Sequence, residues 1–102
     1  MSVREPVADF LAAGGLPNED DPQGAIERAQ ELLERVEAEA PVTDEEAQRL
    51  ATGFGLDDCF GLAWTLLHVI ETAPSPLPAD YLADSGNWWI KQLHLRAANQ
   101  RD

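Results

Sequence analysis

Apolar residues recur at helical spacing along most of the chain, and no segment shows the strict alternation of a half-buried strand. The longest stripe lies within residues 22–40, at intervals of three and four: Ile26, Ala29, Leu33, Val36 and Ala40. Leu32 widens this stripe. The pattern predicts an amphipathic helix with Asp21 as its cap and Pro22 in its first turn, running to about Ala40.

Shorter helices are predicted on both sides of this one. A first helix covers residues 6–13 and ends at a Gly-Gly pair. Thr43 and Glu46 have the spacing of a capping box, which opens a helix over residues 44–52. A last helix covers residues 88–99, and its predicted inner face is Trp89, Ile90, Leu93 and Ala97.

The stretch from Asp57 to Thr72 is apolar on most of its helical circumference. A helix that is apolar nearly all round is buried, and this one is too short to span a bilayer. Asp57 would cap it. We therefore expect residues 1–102 to form a single all-α domain, a compact bundle of four to six short helices around a central apolar helix at about 57–72.

A narrow polar seam interrupts this apolar helix. Gly61, Thr65, His68 and Thr72 follow an i, i+4, i+7, i+11 spacing, and Glu71 borders them. In one interpretation the seam lines a pocket, with His68 and Glu71 as a catalytic acid–base pair. In the other, Gly61 and Thr65 permit a close helix crossing, and His68 is a hydrogen-bonded core histidine.

The candidate substrate-binding residues combine this seam with two indoles and one base of the acidic half: Arg28, Gly61, Trp64, Thr65, Thr72 and Trp88. Arg28 would anchor a carboxylate, or it would simply be a solvated helix partner of nearby acids. Trp88 does not fit the inner stripe together with His94. It would either be exposed for a partner or cap the core from the Pro-rich side, and the second interpretation is favoured.

Charge and composition restrict the possible partners and cofactors. The net charge is −12, of which residues 1–58 carry −11 and residues 59–102 carry −1. Such a field disfavours nucleic acid and anionic membranes, and it favours basic proteins, cationic peptides or simple solubility. The single cysteine, Cys59, and the lack of a secretory signal suit a reducing, cytoplasmic setting. No cofactor motif is present, and two histidines without a paired motif predict no metal site.

One segment of the chain has the character of a family pattern, Leu66-Leu67-His68-Val69-Ile70-Glu71-Thr72-Ala73-Pro74 followed by Asn87-Trp88-Trp89. With its small size, acidity and helical pattern, the chain resembles two groups of actinobacterial proteins over residues 56–96. One group forms the lysinoalanine bridge in duramycin/cinnamycin-type lanthipeptide biosynthesis, and the other is immunity-type. The first resemblance implies addition of a peptide lysine amine to dehydroalanine, with His68 or Glu71 moving the proton and Arg28 holding a carboxylate.

Three functions therefore remain open. The first is a peptide-tailoring enzyme for a cationic peptide, acting as a homodimer with a cleft beside His68. The second is a non-catalytic acidic binding protein, an immunity protein or inhibitor, that contacts a basic protein through the Glu-rich faces of residues 19–46. The third is a structural or regulatory helical dimer with the residue 26–40 stripe at its two-fold interface. The alternative for this stripe, which spans barely two heptads, is packing within the monomer.

Overall fold

Helices form all the regular secondary structure in the computed structural model, which describes residues 3–55, 59–78, 80–82 and 84–99. The α-helices are α1 (Glu5–Ala12), α2 (Gln23–Ala38), α3 (Asp44–Leu50), α4 (Leu62–Ile70) and α5 (Trp88–Asn99). A 3₁₀ turn, Ala51–Gly53, follows α3, and another, Cys59–Gly61, precedes α4. The all-α class and the number of helices are confirmed. In this part of the chain, no helix combines the length and the apolar character needed to cross a membrane.

Local sequence signals set several helix ends. The capping box is present: the Glu46 amide donates to Thr43 Oγ1 at 3.1 Å, and the Thr43 amide donates to Glu46 Oε1 at 2.9 Å. The predicted cap of α2 is wrong, because the Asp21 carboxylate accepts from the Asn18 amide at 3.0 Å. Pro22 takes the cap position instead, without a side-chain hydrogen bond.

The apolar stripe of α2 is part of the core. The stripe residues Ile26, Ala29, Leu32, Leu33 and Val36 are all buried. Helices α1 and α4 pack against α2. The stripe is therefore covered by its own chain, which is the alternative of packing within the monomer, and the homodimer stays a prediction.

Helix α4 packs on α2, α3 and α5, but it differs from the predicted central helix in two ways. It begins at Leu62, because Cys59 (φ 48°), Phe60 (φ 54°) and Gly61 (φ 91°) have left-handed backbones that interrupt the helix. The predicted cap, Asp57, lies outside the described residues. One face of α4 is also open to solvent, so the expectation of burial on all sides is wrong.

A charged side chain of α3, Glu46, binds Arg4, the residue that precedes α1. Glu46 is fully buried. Its Oε2 accepts from the Arg4 amide at 2.8 Å and from Arg4 Nε at 3.0 Å, and its Oε1 accepts from Arg4 Nη2 at 2.8 Å. The Arg4 guanidinium, aided by the Thr43 amide and opposed by burial, lowers the pKa of Glu46 to about 2.

Candidate functional site

Three tryptophans from two helices pack together where α4 meets α5. The ring centroids of Trp64 and Trp89 are 4.9 Å apart, those of Trp88 and Trp89 4.6 Å, and those of Trp64 and Trp88 6.1 Å. All three pairs are close to perpendicular, with interplanar angles of 84° to 90°. Trp89 is buried and stacks on Phe54 at 5.9 Å. The buried indole thus supports two outer ones.

The two outer indoles are largely open to solvent. Trp64 is 40% exposed and Trp88 is 51% exposed. The exposed imidazole of His68 lies beside Trp64, with 6.5 Å between ring centroids. We call Trp64, His68 and Trp88 the aromatic surface. Large apolar side chains that pack together yet remain exposed are typical of interaction sites, because covering them removes apolar area from water.

The turn that leads into α4 adds a further exposed ring. Phe60 is 67% exposed, and its amide donates to the Glu19 carboxylate at 3.1 Å. This bond holds an acidic side chain against the turn four residues before Trp64. A carboxylate from the strongly acidic half of the chain is thus bound to a residue that lies four positions before Trp64.

Glu71 of the predicted catalytic pair is hydrogen-bonded to Arg96 and not to His68. Both carboxylate oxygens of Glu71 accept from Arg96, at 2.6 Å from Nε and 2.9 Å from Nη2. His68 is exposed on α4, so the alternative of a core histidine is also wrong. The half-buried histidine is His94, whose Nε2–H donates to the Tyr81 carbonyl at 2.9 Å.

Two other residues of the polar seam, Thr72 and Gly61, have structural roles. Thr72 Oγ1 accepts from the Val42 amide at 3.0 Å and donates to the Val69 carbonyl at 2.6 Å. Gly61 supplies a left-handed backbone, and a Cβ built there would meet no atom within 4 Å. It therefore permits no close helix crossing. Thr65 is half-buried.

Three clefts lie elsewhere on the described surface, and none of the three includes His68. A cleft of about 230 Å³ lies between the end of α4, the Pro-rich connector and α5, with Glu71 in its wall. A second, of about 460 Å³, includes Arg28, which pairs with Glu31 at 3.5 Å. A third, of about 310 Å³, includes His94. The predicted catalytic and substrate-binding residues are thus distributed over separate parts of the surface.

The sequence contained a signal for the aromatic surface. Neighbouring helix positions point about 100° apart, so Trp88 and Trp89 cannot both face the core. The favoured interpretation of Trp88 as a core cap is wrong, and its exposure is confirmed. The contact between Trp64 and Trp88 had no local signal, because the two residues lie on different helices.

Among the described residues, no group of three His, Cys, Asp or Glu side chains is placed to hold a metal ion. Comparisons of the chain with protein families, with curated proteins and with solved structures found no match. The features of this chain that bear on function are therefore the aromatic surface and the distribution of charge.

Proposed function

We propose that this chain is a binding protein for a basic partner, either a cationic peptide or the basic surface of another protein. The partner binds at the aromatic surface. The observation that carries the proposal is the pair of exposed, mutually packed indoles, Trp64 and Trp88, on a chain with a net charge of −12.

Apolar contact supplies most of the affinity in this proposal. An aromatic side chain buries 150–250 Å² when fully covered, so each outer indole still offers roughly 100 Å². At about 25 cal/mol per Å², covering it contributes about 2–3 kcal/mol before the costs of association. An exposed ion pair contributes less than about 1 kcal/mol. The indoles are thus the expected hot spots.

In this proposal, charge determines which partners are selected and how fast they associate with the chain. The field of a strongly acidic protein attracts basic partners over tens of ångströms at low salt, and it repels acidic ones. The part of the chain that carries the aromatic surface, residues 59–102, has a net charge of only −1. A partner is therefore attracted by the acidic half and contacts a nearly neutral surface.

Fluorescence anisotropy tests the proposal with a dye-labelled peptide of alternating lysine and leucine and a matched peptide with glutamate for lysine. We expect the basic peptide to bind and the acidic one not to bind. A Trp64→Ala/Trp88→Ala double variant should lose affinity at least tenfold, and rising salt should weaken binding. Leu95→Ala is the matched control, because Leu95 is also half exposed on α5.

Two results would count against this function. One is equal binding of the acidic and basic peptides. The other is unchanged affinity in the double tryptophan variant while circular dichroism shows an intact helical fold. Loss of affinity in Leu95→Ala equal to that of the double variant would assign binding to α5 in general.

A peptide-tailoring enzyme is the second candidate, and the position of His68 favours it. Its imidazole is exposed beside Trp64, where a bound peptide would lie. In lysinoalanine formation the lysine amine attacks the β-carbon of dehydroalanine, the nitrogen loses a proton and the α-carbon gains one. His68 would carry that proton. Glu71 is held by Arg96, so this candidate assigns the proton transfer to His68 alone.

A peptide that contains both lysine and dehydroalanine tests this candidate. The cross-link conserves mass, so its formation is measured as loss of thiol addition to dehydroalanine. His68→Ala should abolish conversion while the anisotropy titration still shows binding. Unchanged conversion in that variant would remove the catalytic role of His68 and leave the binding function in place.

A further inference from the structure

The geometry points to a second binding site on this chain, for a small molecule in which an apolar chain carries one carboxylate. The site is the cleft of about 310 Å³ between the start of α5 and the loop that precedes this helix, and we call it the Lys91 cleft. Its wall does not include Trp64, His68 or Trp88. The site is therefore separate from the aromatic surface, and it does not depend on the proposed function.

The charge of this cleft is opposite in sign to the charge of the whole chain. The chain has 19 acids and 7 lysine and arginine residues. The described wall of the cleft nevertheless contains Lys91 and His94 and no carboxylate. Asp84, the nearest acid along the chain, is exposed and lies outside this wall. A cleft with these groups favours an anion over a cation.

Lys91 is the single lysine of the sequence, and its side chain is exposed. It forms no ion pair with any described residue, whereas four arginines each pair with a carboxylate: Arg4, Arg28, Arg35 and Arg96. The ammonium of Lys91 is thus available to a ligand in the cleft.

Lys91 also lies where a cation is electrostatically unfavourable for the helix. It is the fourth residue of α5, whose first turn contains no acid. Ser85, Gly86 and Asn87, which lead into this helix, belong to the wall of the same cleft. The amino-terminal end of a helix carries a partial positive charge, so Lys91 adds a like charge to it. A carboxylate bound in the cleft removes this repulsion.

His94 is the second base of the wall, and it lies three residues after Lys91 on the same side of α5. Its Nε2–H donates to the Tyr81 carbonyl at 2.9 Å, which fixes the ring. Its Nδ1 has no partner among the described residues, in which every buried side-chain nitrogen has one, so Nδ1 is open to solvent. When protonated, Nδ1 donates to a carboxylate.

Apolar side chains in the wall provide a contact for the body of the ligand. Ile90, which is buried, and Leu82, which is half-buried, both line the cleft. The volume is close to the lower end of the range for small-molecule pockets. An inorganic anion would leave this apolar wall exposed to water, whereas an alkyl carboxylate covers it. The expected ligand is therefore a short alkyl carboxylate.

Amide nuclear magnetic resonance of the isotope-labelled full chain tests this site, with octanoate, octylamine and octanol as probes at neutral pH. The three probes share one alkyl chain and differ in the charge of the head group. Octanoate should shift the Lys91 and His94 signals saturably and should bind about fivefold more tightly than the other two. The field of a chain with a net charge of −12 attracts the amine and repels the carboxylate, so this order requires a local site.

Shorter carboxylates test the apolar part of the cleft. Hexanoate and butanoate should bind more weakly than octanoate, by about threefold for each CH₂ that is removed. Equal affinity across the three carboxylates would mean that the apolar wall contributes nothing, and it would overturn the assignment to an alkyl carboxylate.

Single variants test the role of the lysine. Lys91→Gln should lower the affinity for octanoate about threefold to fivefold and leave the affinity for octanol unchanged. Arg49→Gln is the matched control, because Arg49 is also an exposed base without an ion pair to a described residue, and it lies outside the cleft. This control should change the affinity for octanoate less than about 1.5-fold, since distant exposed charges are screened.

Three outcomes would overturn the Lys91 cleft as a carboxylate site. The first is binding of octylamine as tight as that of octanoate. The second is an equal loss of octanoate affinity in Lys91→Gln and Arg49→Gln while circular dichroism shows intact folds. The third is a set of octanoate shifts confined to the indoles of Trp64 and Trp88, which would place the ligand on the aromatic surface.

Discussion

The regions around Glu46 and around Trp64 reverse the usual relation between residue type and burial. Glutamate is almost never fully buried unless it is paired, and tryptophan is highly buried on average. In this chain Glu46 is fully buried, whereas Trp64 is 40% exposed. Around Glu46, Arg4 and Thr43 of the same chain donate to the carboxylate. Around Trp64, part of the indole still contacts water.

This difference between the two regions indicates that the Glu46 region contributes to stability and the aromatic surface to function. Among the described residues, no buried side-chain nitrogen or oxygen lacks a hydrogen-bond partner. The hydrogen bonds of the buried Glu46 carboxylate are thus all supplied by this chain, so a substitution there should change the stability of the fold. The aromatic surface retains apolar area that a partner can cover, so a change there should alter binding more than folding.

Glu46→Ala should give the largest effect, a loss of about 3 kcal/mol in the free energy of unfolding. The substitution removes the acceptor for Arg4 and one half of the capping box. Urea unfolding followed by circular dichroism measures the loss. The control is Glu37→Ala, an exposed acid on α2, which should change stability by less than about 0.5 kcal/mol. Equal effects in the two variants would contradict the assigned role of Glu46.

The pH dependence of stability should be the next largest effect. The pKa of Glu46 is about 2 in the folded chain, below its ordinary value of 4.5. Folding therefore favours the ionised form, so this contribution is present above pH 4.5 and is lost as the pH falls towards 2. Since Arg4 is partly exposed, we expect about 2 kcal/mol.

The Glu46→Gln variant isolates the pH-dependent contribution of Glu46 to stability from the contributions of the other carboxylates. Unfolding of the wild type and of Glu46→Gln is measured between pH 6 and pH 2. The difference between their stabilities should shrink as the pH falls. A difference that stays constant through this range would mean that Glu46 titrates normally.

Gly15→Ala sharpens the comparison at a second contact that the chain makes with itself. Gly15 has a φ of +74°, and a Cβ there would lie 2.6 Å from the Gly53 carbonyl oxygen. We expect a loss of about 2 kcal/mol or more, since both backbone segments must move. Gly14→Ala is the matched control, because Gly14 also has a positive φ, of +101°, but open space for a Cβ. If thermal melting shows equal losses, the close approach contributes nothing.

Trp88→Ala should have the smallest effect on stability and a large effect on binding. The change removes ring contacts with Trp64 and Trp89, which contribute about 1 kcal/mol. Binding of the lysine–leucine peptide should weaken about tenfold. The reverse result, a large loss of stability with normal binding, would mean that the two regions do not divide stability and function as proposed.

Local signals in the sequence were sufficient for most helices. The capping box of Thr43 and Glu46 correctly marked the start of α3, and the last helix lies where its apolar pattern placed it, over Trp88–Asn99. These signals act within one or two turns of the chain. The site was less predictable, because the seam of α4 showed which residues share a face but not what covers that face.

The sequence by itself determined the all-α class, the buried stripe of α2 and the acidic charge, because each follows from residue type and short-range spacing. Only the tertiary structure decided that Arg4 reaches Glu46, that Glu71 binds Arg96 and that Trp64 meets Trp88. Each of these pairs joins residues far apart in the chain. Such contacts depend on how the helices pack against one another, which spacing along one helix does not encode.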